Sequence, residues 1–161
     1  MRSLTPEELR EFVKTDVGVN YLLKRLPGGL LGEIAALKKL ESMGLSVSAA
    51  KLNEKERDLI VEGQDDGKKA RVEIKSIAEG SNTFLVSRCP DPGASDFWIF
   101  VRGLDEFCVL TTQEAARVWR DNPYNQGIED DSARTTNGTR KTGDIRWHHL
   151  AAFADAWDKL R

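Results

Sequence analysis

The chain has 161 residues, 40% apolar and 31% charged, which suits one compact domain and excludes a disordered one. A chain of that size buries about 70% of its unfolded surface, and its net charge of −2 (24 basic against 26 acidic side chains) does not advertise a nucleic-acid binder. No run of about 18 apolar residues could span a membrane, the first residues lack the apolar stretch of a secretory signal, and Cys89 and Cys108 are too few for a disulfide framework, so a reducing cytoplasm is expected.

Thr5, Pro6 and Glu8 form a capping box that opens a helix over about residues 5–24, ending before the Pro27-Gly28-Gly29 turn. A second helix is predicted from near Leu30 to Gly44, with Leu30, Ile34, Leu37 and Leu40 as its apolar stripe. The period then changes. Residues 45–50 and 58–61 read as strands, Gly63 to Gly67 as a turn, and residues 71–75 as an alternating strand that closes a hairpin. Residues 83–87 give a weaker strand and Cys89 to Gly93 a Pro/Gly loop. Residues 96–101 are apolar almost throughout, as in a strand buried on both faces, and 107–110 form another. Thr111 and Thr112 cap a helix to about Arg120, a loop covers 121–145, and an amphipathic helix over 147–160 ends the chain. The order predicts a single α/β domain over 1–161: a helical extension (1–29), a core (30–110), and a helical C-terminal part (111–161) holding the loop 121–145. The sheet is expected to be mixed and flanked by helices.

Four residues could carry chemistry: Glu33, Asp58, Glu73 and Lys75. Strand alternation puts Glu73 and Lys75 on one face and Val72 and Ile74 on the other. In the hairpin register, Asp58 converges with Glu73 and Lys75. Two close carboxylates repel unless a cation lies between them, and Mg²⁺ is the hard ion such a pair holds. The ion lowers the pKa of an attacking water, and a lysine beside it can orient that water, which is equipment for hydrolysing a phosphodiester. Glu33 falls between Leu37 and Leu40 on its helix, where a carboxylate is costly unless paired or metal-bound; a first-turn glutamate favoured by the helix dipole is the plainer reading. An Asp followed by Glu-x-Lys is common by chance, and a solvated salt-bridged face is the bland alternative. The surrounding helix, strand and hairpin raise the signal.

Gly32-Glu33-Ile34-Ala35-Ala36-Leu37, then Arg57-Asp58-Leu59-Ile60-Val61, then Val72-Glu73-Ile74-Lys75-Ser76, resembles the PD-(D/E)xK nuclease superfamily with its restriction-endonuclease-like fold. The likeness is nearest to its Holliday-junction-resolvase-like and restriction-endonuclease-like branches and covers roughly residues 30–101. It implies metal-binding roles for Asp58, Glu73 and the carbonyl of Ile74, a catalytic role for Lys75 and an accessory acidic role for Glu33. It implies Mg²⁺ or Mn²⁺ as cofactor, DNA as substrate, and 5′-phosphate and 3′-hydroxyl products. The customary proline is replaced by Arg57, and residues 76–95 leave room only for a short helix where the superfamily has a clear one. The alternative function is a non-catalytic module on the same fold that binds nucleic acid or protein.

The remaining features are weaker. Residues 121–131 carry four acids and no Lys or Arg, whereas 132–149 carry Arg134, Arg140, Lys141 and Arg146 against Asp144 alone; this second stretch is the expected phosphate-contact surface, or else a solvated loop. Gly63-x-x-x-Gly67-Lys68 is one residue short of a phosphate loop and reads as the hairpin turn. His148 and His149 should point apart and hold no metal. Trp98, Phe100, Trp147 and Trp157 read as packing, although Trp147 could stack on a base. Both thiols lack a histidine partner and read as inert. Cutting two DNA strands needs two sites, so a homodimer is plausible.

Overall fold

The computed structural model describes residues 28–49, 59–62, 68–128 and 142–160. The predicted helix over 5–24, the Gly63–Gly67 turn, Asp58, Arg134, Arg140 and Lys141 lie outside them. Helix α1 (Gly28–Ser42) leads into strands β1 (Ser46–Ala49), β2 (Leu59–Glu62), β3 (Lys69–Ile77) and β4 (Thr83–Leu85). Then follow β5 (Phe97–Arg102), β6 (Glu106–Thr111), α2 (Thr112–Asp121) and β7 (Asp144–Arg146). Three short 3₁₀ turns (Pro123–Asn125, Trp147–Phe153, Trp157–Leu160) complete the described chain.

Five strands form one mixed sheet in the order β1-β2-β3-β5-β6. All neighbours are antiparallel except β3 and β5. The predicted hairpin is present, with Leu59 opposite Val72 and Glu62 opposite Lys69. The parallel pair is locked at its start by Arg71, which sends Nε (3.0 Å) and Nη2 (2.8 Å) to the Asp96 carboxylate; Asp96 N–H returns to the Arg71 carbonyl at 2.8 Å. That fork raises the Arg71 pKa, chiefly through its hydrogen bonds to Asp96. It fixes the register: Glu73 lies opposite Trp98 and Lys75 opposite Phe100.

Each face of the sheet has its own core. Val61, Val72, Ile74, Ile99, Val101 and Val109 pack with Ala36 and Leu40 of α1 on one face. Trp98, Phe100 and Leu110 pack with Phe84 and Ile145 of the β4–β7 ribbon and with Ala115 and Trp119 of α2 on the other. The α1 contact differs from the predicted stripe. Gly32, Ala36 and Leu40 are buried, whereas Ile34 and Leu37 are only partly so. Small residues win because the helix lies so close to β3: a Cβ on Gly32 would sit 2.1 Å from that of Ser76. The helix stops as expected. Gly44 takes φ 79°, its N–H bonds the Glu41 carbonyl (2.9 Å) and Leu45 N–H bonds that of Leu40 (3.2 Å), a complete Schellman cap. Helix α2 opens on the predicted threonine: Thr111 Oγ1 accepts from Glu114 N, and Glu114 Oε2 accepts from Thr111 N.

Three expectations are corrected. The weak strand over 83–87 is real but short, and it pairs with β7, which begins inside the expected loop 121–145, in a separate two-stranded sheet. No helix occupies the described crossover from β3 to β5; β4 and an irregular segment carry the chain instead. The helix predicted over 147–160 is two 3₁₀ turns, broken where Ala154 bridges Cys108 and Asp155 takes φ 49°. The reason is topological. Leu150 serves the core beneath the ribbon, whereas Trp157 and Leu160 serve the core beneath α1, so the segment must pass the outer edge of β6. Asp155 N–H bonds the Phe107 carbonyl there at 3.0 Å, which also covers that edge.

Two buried asparagines tie α2 to β7. Asn125 Nδ2 donates to the carbonyls of Trp119 (2.7 Å) and Asp144 (2.8 Å), and its Oδ1 accepts from Asp144 N (2.8 Å). Asn122 Nδ2 donates to the Asp144 carbonyl at 3.1 Å and to its carboxylate at 2.5 Å.

Candidate active site

Glu73 and Lys75 lie in the middle of β3, on the face away from α1. A glutamate here is unusual, since it is only 6% exposed. Lys75 Nζ lies 2.5 Å from Glu73 Oε1, and the lysine side chain keeps 33% of its exposure. A buried carboxylate is tolerated when a charged donor meets it, and the two residues are positioned for this by strand alternation alone. They open onto a cleft of about 150 Å³, whose walls include Leu85, Arg88, Asp91 and Trp98. Behind them, Lys75 Nζ stands 5.7 Å from the centre of the Trp98 ring.

The cleft exists because the crossover is not a helix. Beyond β4 the chain turns through Cys89 to Gly93, tied by Gly93 N to Asp91 Oδ1 (2.8 Å) and by Arg71 Nη1 to the Gly93 carbonyl (2.6 Å). This irregular stretch stands off the sheet, and the gap beneath it is the cleft.

The other sequence candidates are placed as follows. Ile74 is buried toward α1, between the two cleft residues in sequence. Ser76 lies within β3, beneath Gly32, and the strand runs one residue past it. Glu33 is part-buried in the second turn of α1, because the helix begins at Gly28 rather than near Leu30. It is not among the residues lining the cleft. Asp58 immediately precedes Leu59, whose partner is Val72, the neighbour of Glu73. Arg146 lies in β7, with its guanidinium 4.4 Å from the ring centre of Tyr124, an exposed aromatic.

Among the described residues no cluster of three or more His, Cys, Asp or Glu is arranged to hold a metal. The donor chemistry of the cleft does fit a hard cation in kind: a buried carboxylate, a second carboxylate on the wall and a lysine beside them. The histidines differ from expectation. Their rings meet edge to face at 4.1 Å instead of pointing apart. His149 has its pKa lowered, by burial first and then by His148 and Arg146. Trp147 packs on Phe84 and carries Arg102 over its ring at 4.5 Å. Cys89 is half-buried in the cleft wall, and Cys108 is buried in the core, where burial pushes its thiol up to about 12.

Sequence reasoning placed Trp98 in the core and did not connect it with Lys75. Strand parity could have aligned Trp98 with Phe100, but the register of a parallel pair is not written in either strand alone.

The mixed five-stranded sheet with helices on both faces is a nuclease-like α/β fold in a single domain. The chain is similar to the solved structure of a bacterial homing endonuclease, I-Ssp6803I, with a TM-score of 0.53 and 16% identity, over 83% of this chain and 88% of that one. At that identity the likeness is one of fold. No protein-family model matches the chain, and no curated protein matches it.

Proposed function

We propose that this protein is a metal-dependent DNA endonuclease of the PD-(D/E)xK kind. The observation that carries the reading is the Glu73–Lys75 pair, side by side on the central strand at the floor of a cleft, in a fold shared with a homing endonuclease. Glu73, Asp58 and the Ile74 carbonyl would hold Mg²⁺ or Mn²⁺, which supplies water activation and charge neutralisation at phosphate. Glu73 presents its carboxylate already stripped of most solvent, which strengthens its attraction for a cation. Lys75 orients the attacking water and offers its ammonium to the phosphate oxygen. Arg134, Arg140, Lys141 and Arg146 grip the DNA backbone in this scheme, whereas Glu33, on the helix that packs on the opposite face of the sheet, stands apart from the cleft. The products are a 5′-phosphate and a 3′-hydroxyl, and a homodimer would cut both strands.

The test is cleavage of supercoiled plasmid by the full chain. Nicking should require Mg²⁺ or Mn²⁺, cease in chelator, and fall at least about 100-fold in Lys75→Ala and Asp58→Ala, with circular dichroism unchanged. Cleavage that survives both substitutions refutes the assignment. A mobility shift that persists in chelator and weakens with salt, without any cutting, would establish a binding module instead.

A further inference from the structure

The cleft contains a side chain that the proposed chemistry has not used. Three tryptophans of the described chain are buried, and two satisfy their indole N–H: Trp119 donates to the Val86 carbonyl at 3.1 Å and Trp157 to Asp155 Oδ1 at 3.0 Å. Trp98 does not. It is 7% exposed, and its Nε1 is buried without a hydrogen-bond partner. Buried indoles ordinarily find an acceptor, so an orientation that forgoes one calls for a reason. Stacking supplies part of it: the ring lies 5.8 Å from Phe100 at an interplanar angle of 24°. The outcome of that orientation is the placement of the ring beside Lys75, with Nζ 5.7 Å from its centre.

We propose that Trp98 is a positioning residue for Lys75, holding the ammonium in the cleft by its ring once a cation has engaged the Glu73 carboxylate. The inference rests on the nuclease reading and goes beyond it. Without a cation, Lys75 is anchored by Glu73 Oε1. A divalent ion on that carboxylate cancels the attraction and repels the lysine. The negative face of the Trp98 ring is then an attraction that stays in place for the ammonium, of a kind that is best with tryptophan. The geometry is built in from a distance. The Arg71–Asp96 fork sets the β3–β5 register that brings Glu73 opposite Trp98. Without the ring, Lys75 would swing toward solvent, and small displacements of a catalytic group are expensive in rate.

The experiment compares Trp98→Phe and Trp98→Leu in the full chain. Trp98→Phe keeps an aromatic face and removes the N–H; Trp98→Leu removes both. Plasmid cleavage with Mg²⁺ should show kcat reduced about 10–100-fold in Trp98→Leu with KM within about twofold, and largely rescued in Trp98→Phe. NMR of ¹³C-lysine-labelled protein gives a readout independent of cleavage. The Lys75 ε-methylene signal should be shifted upfield by the ring in wild type and Trp98→Phe, and should return to the position of exposed Lys69 in Trp98→Leu. A wild-type Lys75 signal indistinguishable from that of Lys69 overturns the proposal, whether or not Trp98→Leu folds. Equal impairment of both variants overturns it too, because the ring face would then not be what matters. Wild-type protein that fails to cleave removes the underlying function, and the proposal with it. Wild type that cleaves while Trp98→Leu matches its kcat removes the proposal alone.

Discussion

Ile74 and Lys75 are neighbours in one strand and meet opposite treatment. The α1 face of the sheet is filled by aliphatic side chains from β2, β3, β5 and β6, closed by a helix that approaches through Gly32 and Ala36. The other face begins equally well packed under the ribbon and α2 but opens at β3, where Glu73 and Lys75 replace apolar side chains and a cleft replaces contact. One side is built for stability. The other gives some of it up to hold a charged pair open to a cleft. The same strand holds both, so the packed side serves as the support that fixes the open side.

The strongest challenge to this contrast is a cavity on the packed side. Ile99→Ala should cost about 2–5 kcal/mol, because Ile99 is fully buried between β3 and β6. Chemical denaturation measures the loss, and cleavage per folded molecule should change little. An intermediate effect comes from the open side. Lys75→Met leaves Glu73 buried without its lysine and should lose about 1–3 kcal/mol. The double change Glu73→Met with Lys75→Met should recover that stability or exceed it, with no activity, since a well-packed apolar pair often matches a buried ion pair. If the double variant is less stable than the single one, the charges are structural and the contrast is misdrawn.

The smallest effect lies away from both faces, at Glu114. Burial raises its pKa, but bonds from Lys159 (2.6 Å) and Thr111 outweigh this, and the net shift is downward from 4.5. The folded carboxylate therefore holds its proton less tightly than the unfolded one. Its contribution is fully present above pH 4.5 and is lost as pH falls through the lower folded value. Glu114→Gln should cost about 0.5–1 kcal/mol at neutral pH. Its melting temperature should also fall less steeply in acid than that of wild type.

Much of the sheet was legible from residues alone. Alternation in Val72-Glu73-Ile74-Lys75 assigned the two faces, the apolar run Phe97 to Val101 marked a buried strand, and Thr111 with Thr112 marked a helix start. What escaped has a shared cause. The 147–160 segment has helical spacing, but its apolar residues are divided between two cores, and only the tertiary path separates them. β7 is three residues long, too short for a pattern, and exists through pairing with β4. Of the site, Glu73 and Lys75 were visible through period and chemistry, whereas Trp98 became relevant only through the Arg71–Asp96 fork.

The asparagine clamp has a consequence for how such a protein could diversify. Asn122 and Asn125 bind Asp144, so the chain is pinned where it departs from α2 and again where it rejoins at β7. Closing a longer excursion between two pinned points costs only about 0.6 kcal/mol for each doubling of length. Chain inserted between these two anchors should therefore leave the scaffold beneath with its shape, because the clamp holds both ends.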